Sequence, residues 1–117
     1  MILHICTAAE WAAVSDGGSY RAASLEDAGF IHCSDFGTLH LPANALFAGQ
    51  SGLVLLEIDP AKLDVPLRWE PGVPEQPDGV WFPHVYGPIP QVAVLAVHDF
   101  PADGDGRFRL PVTLARR

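Results

Sequence analysis

Two short stretches of the chain concentrate the side chains that could do chemistry. Residues 29–34 place an imidazole, a thiol and a hydroxyl next to one another at His32, Cys33 and Ser34. Residues 82–87 again set a histidine within an apolar segment bounded by proline and glycine. Imidazoles exchange protons near neutral pH, and hydroxyl groups orient polar ligands. The two stretches therefore predict a pocket where they meet.

Alternation along a strand decides which of these groups can act together. Neighbours point to opposite faces, so His32 and Cys33 cannot hydrogen-bond each other, whereas His32 and Ser34 share a face. A nucleophilic Cys33 would need another histidine, such as His4 or His84, and its alternative is a buried apolar role. For His32 and Ser34 the alternatives are binding of a polar ligand and ordinary hydrogen bonding to the backbone.

Three further residues complete the candidate chemistry. His4 lies mid-strand among apolar residues, where an imidazole needs a partner, either a ligand or a hydrogen-bonding group of the core. Arg68 and Glu70 share one face of a short extended segment. They form either a surface ion pair or a site in which the carboxylate stabilises a cationic transition state while arginine holds an anion. We expect His4, His32 and His84 to line one cavity.

Composition places the chain among globular proteins and limits its partners. With 117 residues, 49% hydrophobic and 18% charged, it predicts a single domain over residues 1–117. A formal net charge of −7 argues against nucleic acid, because phosphate binding draws on clustered Lys and Arg. No apolar run approaches the roughly 20 residues that cross a bilayer, so no membrane association is expected.

Spacing narrows the chemistry further. No His-x3-His or Cys-x2-Cys pattern occurs, so no metal is expected. The glycine-rich motifs of dinucleotide and phosphate binding and the serine-hydrolase motif do not occur either. Cys6 and Cys33 are the two cysteines, and the chain opens on a strand pattern rather than a signal peptide. Both thiols are expected to be reduced and buried, in a cytoplasmic protein.

Hydrophobic periodicity predicts an α+β fold, with a mainly antiparallel sheet and two or three short helices packed on it. Strands are expected at residues 2–7, 30–33, 53–58, 67–70, 80–86, 92–100 and 108–110. Helical segments are expected at residues 8–14, 24–28 and 38–47. Thr7 with Glu10 predicts a capping box, and Ser24 with Asp27 predicts a second N-cap.

Some elements carry a more specific prediction. Residues 53–58 form an almost continuous apolar run, which favours a central strand. Pro83 indicates that residues 80–86 form an edge or irregular strand. Residues 92–100 are apolar on both faces and predict a strand buried on both sides. Residues 103–106 predict a tight hairpin turn.

Several blocks of the sequence, taken in order, resemble one family. They are His4-Ile5, Ser24-Leu25, residues 29–34, residues 53–59, Arg68-Trp69-Glu70 and residues 82–88. Together they are similar to a small bacterial family, domain of unknown function number nine hundred and fifty-two, over nearly the whole chain. The fold of that family is similar to the catalytic domain of ADP-ribosyltransferases, a split antiparallel α+β fold that holds NAD in a central cleft. RNA 2′-phosphotransferases share that fold.

The resemblance implies roles for particular residues. It implies catalytic roles for His4, His32 and Glu70. Contacts with NAD or a related nucleotide are expected for a larger set, namely Arg21, Ser24, Ser34, Arg68, His84 and Tyr86. Of these, His84 and Tyr86 match only the motif of the small family itself, so their role stays open. In this reading the chain is a transferase-like protein that acts at the nicotinamide–ribose bond, with Arg21 and Arg68 meeting the pyrophosphate.

Two alternatives from other functional classes stay open. The first is a non-catalytic module that binds a small metabolite or a peptide in the same cleft. The second is a subunit that binds a protein partner through the loop at residues 72–79, which carries Glu75 and Asp78. The sequence identifies no such partner.

Overall fold

The structure, a computed structural model, describes residues 1–115. In this range the strands are Ile2–Thr7 (β1), Ser19–Tyr20 (β2), Ile31–His32 (β3), Leu53–Ile58 (β4), Leu67–Pro71 (β5), Trp81–Val85 (β6), Ile89–Pro90 (β7) and Val94–Asp99 (β8). The α-helices are Ala8–Ala12 (α1), Ser24–Asp27 (α2), His40–Leu46 (α3) and Val112–Ala115 (α4), with 3-10 turns at Pro60–Lys62 and Gln91–Ala93. The predicted α+β class is confirmed, and α4 is an additional short helix.

The strands form three small antiparallel sheets. Their orders are β1-β4-β8, β2-β7 and β3-β6-β5. Leu3 and Ser34 join the first and third sheets, because each N–H donates to the carbonyl of the other residue at 2.7 Å. The backbone of residues 32–34 is thereby held by both sheets.

The core follows from the central position of β4. This strand lies between β1 and β8 and is buried along its whole length, which confirms the prediction for the apolar run at residues 53–58. Leu56 packs on one side of the first sheet with Ile31 and Val85 of the third sheet, and Leu55 packs on the other side beneath α3. Full burial of each such side chain contributes roughly 1.5–3 kcal/mol.

Strand β8 differs from its prediction. The segment begins as the 3-10 turn Gln91–Ala93, and β8 then lies at the edge of its sheet. Leu95 and Val97 remain 44% and 41% exposed. The expectation of burial on both sides was wrong, because apolar residues on two faces of a strand do not show whether another layer covers each face, and the face with Leu95 and Val97 stays exposed.

Strand β6 is central in its sheet, so the prediction of an edge strand from Pro83 was wrong. The Pro83 carbonyl accepts from the Cys33 N–H at 3.1 Å. The nitrogen and carbonyl of a strand residue point to the same side, so the missing N–H of Pro83 faces β3. Strand β3 ends at His32, opposite His84, and the proline lies just beyond that pairing.

The chain after β8 also departs from its prediction. The turn at residues 103–106 forms, with the Gly106 N–H donating to Asp103, but residues 108–110 are not a strand. Asn44 of α3 instead holds the Phe108 backbone through bonds of 2.8 and 2.9 Å to its N–H and carbonyl. The side-chain amide of Asn44 thus makes the backbone hydrogen bonds that a paired strand after the turn was expected to make.

Of the two predicted helix N-caps, one is confirmed and one is wrong. Thr7 and Glu10 form the capping box at α1. In α2 the cap position is Ala23, and Ser24 is the first helical residue, so Ser24 was wrongly assigned as the cap. No helix within residues 1–115 has the length and apolar character to cross a membrane.

Candidate functional site

One face of the third sheet gathers most of the candidate residues. Register sets His84 opposite His32 on one side and Arg68 on the other, and Glu70 opposite Phe82. Side chains alternate along each strand, so these residues emerge on the face away from the core. We call this surface the imidazole face; its members are Phe30, His32, Arg68, Glu70, His84 and Tyr86.

Glu70 is the polar centre of the imidazole face. Its Oε1 accepts hydrogen bonds from Tyr86 Oη and from His84 Nδ1, the latter at 2.9 Å. Both bonds lower the pKa of Glu70 below its usual value, and the bond from Tyr86 has the larger effect. The hydrogen bond between Tyr86 and Glu70 also raises the pKa of Tyr86. Glu70 therefore stands as a carboxylate, with its side chain 33% exposed.

His84 is oriented by this carboxylate. Only 2% of His84 is exposed, and its ring stacks on Phe30 with centroids 4.1 Å apart. A carboxylate only accepts, so Nδ1 carries a proton, and in the neutral form of the ring Nε2 carries the lone pair. Within residues 1–115 no group hydrogen-bonds Nε2, and no side-chain polar atom sealed from solvent lacks a partner. Nε2 of His84 therefore reaches solvent.

His32 lies directly across from His84. The ring centroids are 5.6 Å apart and nearly perpendicular, and the His32 ring also contacts Phe30 at 4.8 Å. Much of His32 stays exposed, but the packed part loses water, and this desolvation, followed by the nearby His84, lowers its pKa. The structure thus brings two of the three expected imidazoles together.

Arg68 supplies a positive charge at the margin of the face. Its guanidinium carbon lies 4.9 Å from the centroid of the Tyr86 ring. Such a cation–π contact contributes about 0.5–1 kcal/mol at an exposed site. Arg68 is exposed, so its N–H groups can meet an anion from solvent.

His4 lies behind the imidazole face. Its Nδ1 donates to the His32 carbonyl at 2.6 Å, and its Nε2 accepts from Tyr20 Oη at 2.8 Å. The carbonyl can only accept, which fixes the proton on Nδ1. Burial lowers the pKa of His4 to about 4. Both nitrogens are engaged within the core, so His4 holds β3 through its main chain, and direct ligand contact stays a prediction.

The remaining candidates lie apart. Ser34 is buried at the bridge to Leu3, Ser24 is half-buried at the start of α2, and Arg21 is exposed directly after β2. In the described part of the chain, no hydrogen bond or ring contact joins the side chains of these three candidates to the imidazole face. Their contacts with a ligand stay predictions.

Both cysteines are free, buried thiols. Burial strongly raises the pKa of Cys33, and burial together with Glu10 raises that of Cys6 to about 11. A thiol must ionise to attack, so this environment favours the apolar alternative for Cys33.

One polar pair was missed by the sequence analysis. His98 Nε2 lies 2.9 Å from Oε1 of Glu57, a fully buried carboxylate on β4. Glu57, Met1 and Asp35 contribute to the walls of a cleft of about 580 Å³. A glutamate inside an otherwise apolar strand was the available signal.

Across residues 1–115, no group of three or more His, Cys, Asp or Glu side chains is placed to hold a metal.

Three solved structures similar to this chain are those of the protein CC0527 from Caulobacter crescentus. A crystal structure of CC0527 shares 34% sequence identity with a TM-score of 0.83, and 97% of each chain is covered. A crystal structure of its double mutant gives 33% and 0.82 with the same coverage. Its solution NMR structure gives 33% and 0.78, covering 99% of this chain and 97% of the other.

Among curated proteins, none matches the chain. Residues 5–97 match the family model described as "Protein of unknown function (DUF952)". This match includes both histidines of the imidazole face as well as Glu70 and Tyr86. The chain therefore belongs to the DUF952 family.

Proposed function

We propose that the chain binds NAD or a related nucleotide on the imidazole face and cleaves or transfers at the nicotinamide–ribose bond. The observation that supports this most is Glu70, which two hydrogen bonds hold as a carboxylate on the same strand face as Arg68. The antiparallel α+β architecture is compatible with the ADP-ribosyltransferase-like fold that the sequence resemblance implies, and that fold is part of the proposal.

Glu70 would act on the charge that develops in the ribose. As the bond between ribose C1′ and nicotinamide breaks, the electron pair leaves with nicotinamide, and the ribose becomes an oxocarbenium-like cation. Oε1 of Glu70 is occupied by His84 and Tyr86, so Oε2 can face this cation and offset its charge. Water or an acceptor hydroxyl then bonds to C1′ and releases its proton to solvent.

The neighbouring residues would position the nucleotide. Exposed Arg68 meets the pyrophosphate, with Arg21 as a second contact, and the accessible ring of His32 binds a ribose hydroxyl. His4 acts through the His32 carbonyl, and Ser34 through its bridge to Leu3. Pyrophosphate and ribose would then meet side chains from two different strands.

Incubation with NAD, with nicotinamide release followed by chromatography, tests the proposal. Glu70→Gln keeps the size of the side chain and removes its charge, so the release rate should fall roughly 100-fold. Glu75→Gln is the matched control, because Glu75 lies exposed in the loop at residues 72–79. No release, together with no thermal shift from NAD or other nucleotides, would contradict the proposal. Saturable binding without release would instead support the non-catalytic binding module.

A second candidate is the partner-binding subunit. Trp69 and Trp81 are 46% and 55% exposed and flank the loop that carries Glu75 and Asp78. Exposed tryptophans are typical of protein interfaces. Co-purification of a partner that is lost in the double variant Trp69→Ala, Trp81→Ala would favour this function, and a nucleotide-dependent shift without any partner would count against it.

A further inference from the structure

The pairing of His32 with His84 has a property that neither the family assignment nor the proposed function uses. The two residues are directly opposed on β3 and β6, and their ring centroids lie 5.6 Å apart. Two imidazoles that bind one metal through nitrogen at about 2.0–2.1 Å have centroids roughly 5 Å apart in tetrahedral geometry. The observed separation is close to that value without any rearrangement of the backbone.

The orientation of His84 follows from its partner. Strand β6 lies between β5 and β3, and Nδ1 of His84 donates to Glu70 on β5. Nδ1 and Nε2 lie on either side of Cε1 in the imidazole ring. With Nδ1 bonded to Glu70, Nε2 is the His84 nitrogen left for a ligand. The neighbouring imidazole of His32 lies on β3, with its ring centroid 5.6 Å from that of His84.

We propose that His32 and His84 form a binding site for a divalent transition metal ion of the kind that imidazoles favour, such as Zn²⁺, Ni²⁺ or Co²⁺. Glu70 is the outer partner of this site: its bond to Nδ1 fixes the tautomer that leaves Nε2 available. No metal was expected from the sequence, because two histidines on separate strands produce no spacing motif.

The number of ligands sets the character of the site. Two protein ligands leave the remaining coordination positions to water or to an anion, so the metal would exchange and bind more weakly than in sites with three or four protein ligands. The exposed position of His32 keeps those positions open to solvent. Metal binding at this site does not require NAD, so it can be tested separately from the proposed reaction.

Metal titration of the tag-free protein tests the proposal. Isothermal titration with ZnCl₂ should give one saturable site, and Co²⁺ should give a visible absorption band on binding. His32→Ala should weaken Zn²⁺ binding at least tenfold, because one of two ligands is lost. His40→Ala is the matched control, since His40 is an exposed histidine at the start of α3, and it should bind Zn²⁺ as the unmodified protein does.

The buried partner needs its own measurement, because His84→Ala removes a stacked ring. Nitrogen-15 NMR of the histidine rings should show Zn²⁺ shifting the Nε2 signal of His84 while Nδ1 stays protonated. Glu70→Ala should weaken binding by about tenfold or more through loss of the outer partner. Absence of saturable binding, binding unchanged by His32→Ala, or an unshifted His84 signal would each overturn the proposal.

Discussion

Two buried histidines, one on each of the main sheets, show how partners decide what an imidazole can do. His4 on β1 donates to a backbone carbonyl and accepts from Tyr20, so both of its nitrogens are engaged within the core. His84 on β6 is equally buried but donates to Glu70, and its second nitrogen reaches solvent. Burial alone does not show whether an imidazole nitrogen can meet a ligand; the atoms that face each nitrogen do.

Replacing either histidine by alanine should have the largest effect. His4→Ala and His84→Ala each remove a buried ring with its hydrogen bonds, so each should lower the free energy of unfolding by about 3 kcal/mol. Urea denaturation followed by circular dichroism measures both. The variants should differ in Zn²⁺ titration, which His4→Ala retains and His84→Ala loses. Equal retention of Zn²⁺ by both variants would remove the functional distinction.

Acid should destabilise the protein through His4. The pKa of His4 is about 4 in the folded protein against an ordinary value of 6.5. Between pH 6.5 and 4 only the unfolded chain takes up this proton, so stability is lost as the pH falls, by up to about 3 kcal/mol near pH 4. His4→Gln removes this titration. A pH dependence of stability that is the same in His4→Gln and in the unmodified protein, measured in EDTA, would contradict the expectation.

A smaller effect is expected at two tyrosines, Tyr20, which bonds His4, and Tyr86, which bonds the Glu70 partner of His84. Tyr20→Phe leaves Nε2 of buried His4 without a donor, which should cost about 1–2 kcal/mol. Tyr86→Phe removes a bond to the partly exposed Glu70 and should cost less, about 0.5–1 kcal/mol, because water can replace the hydroxyl. Thermal unfolding of both variants gives the difference. A larger loss in Tyr86→Phe would reverse the ranking.

Much of the fold could be predicted from local patterns. The apolar run at residues 53–58 identified the central strand, and the capping box at Thr7 identified the start of α1. Predictions failed where a distant partner decides the outcome. Strand β8 pairs with β4 on one side and lies at the edge of its sheet on the other. The backbone of Phe108 binds the side-chain amide of Asn44 on α3 rather than a strand.

The candidate site was predictable in its residue types and not in its pairing. The two histidine blocks and the Arg68–Glu70 segment were recognised as chemically unusual, and they do share one face. Their sequence distance hides that His84 and Tyr86 bind the same oxygen of Glu70. The hydrogen bond from His4 to a main-chain carbonyl likewise leaves no signature in the sequence.

The bridge between Leu3 and Ser34 connects the short segment after β3 to the first sheet as well as to the third. A ligand that displaces His32 is therefore expected to disturb the amides of Leu3 and Ser34, which hydrogen-bond across this bridge. Hydrogen exchange at these two amides would report occupancy of the imidazole face from within the core, even for a ligand that is itself invisible to spectroscopy.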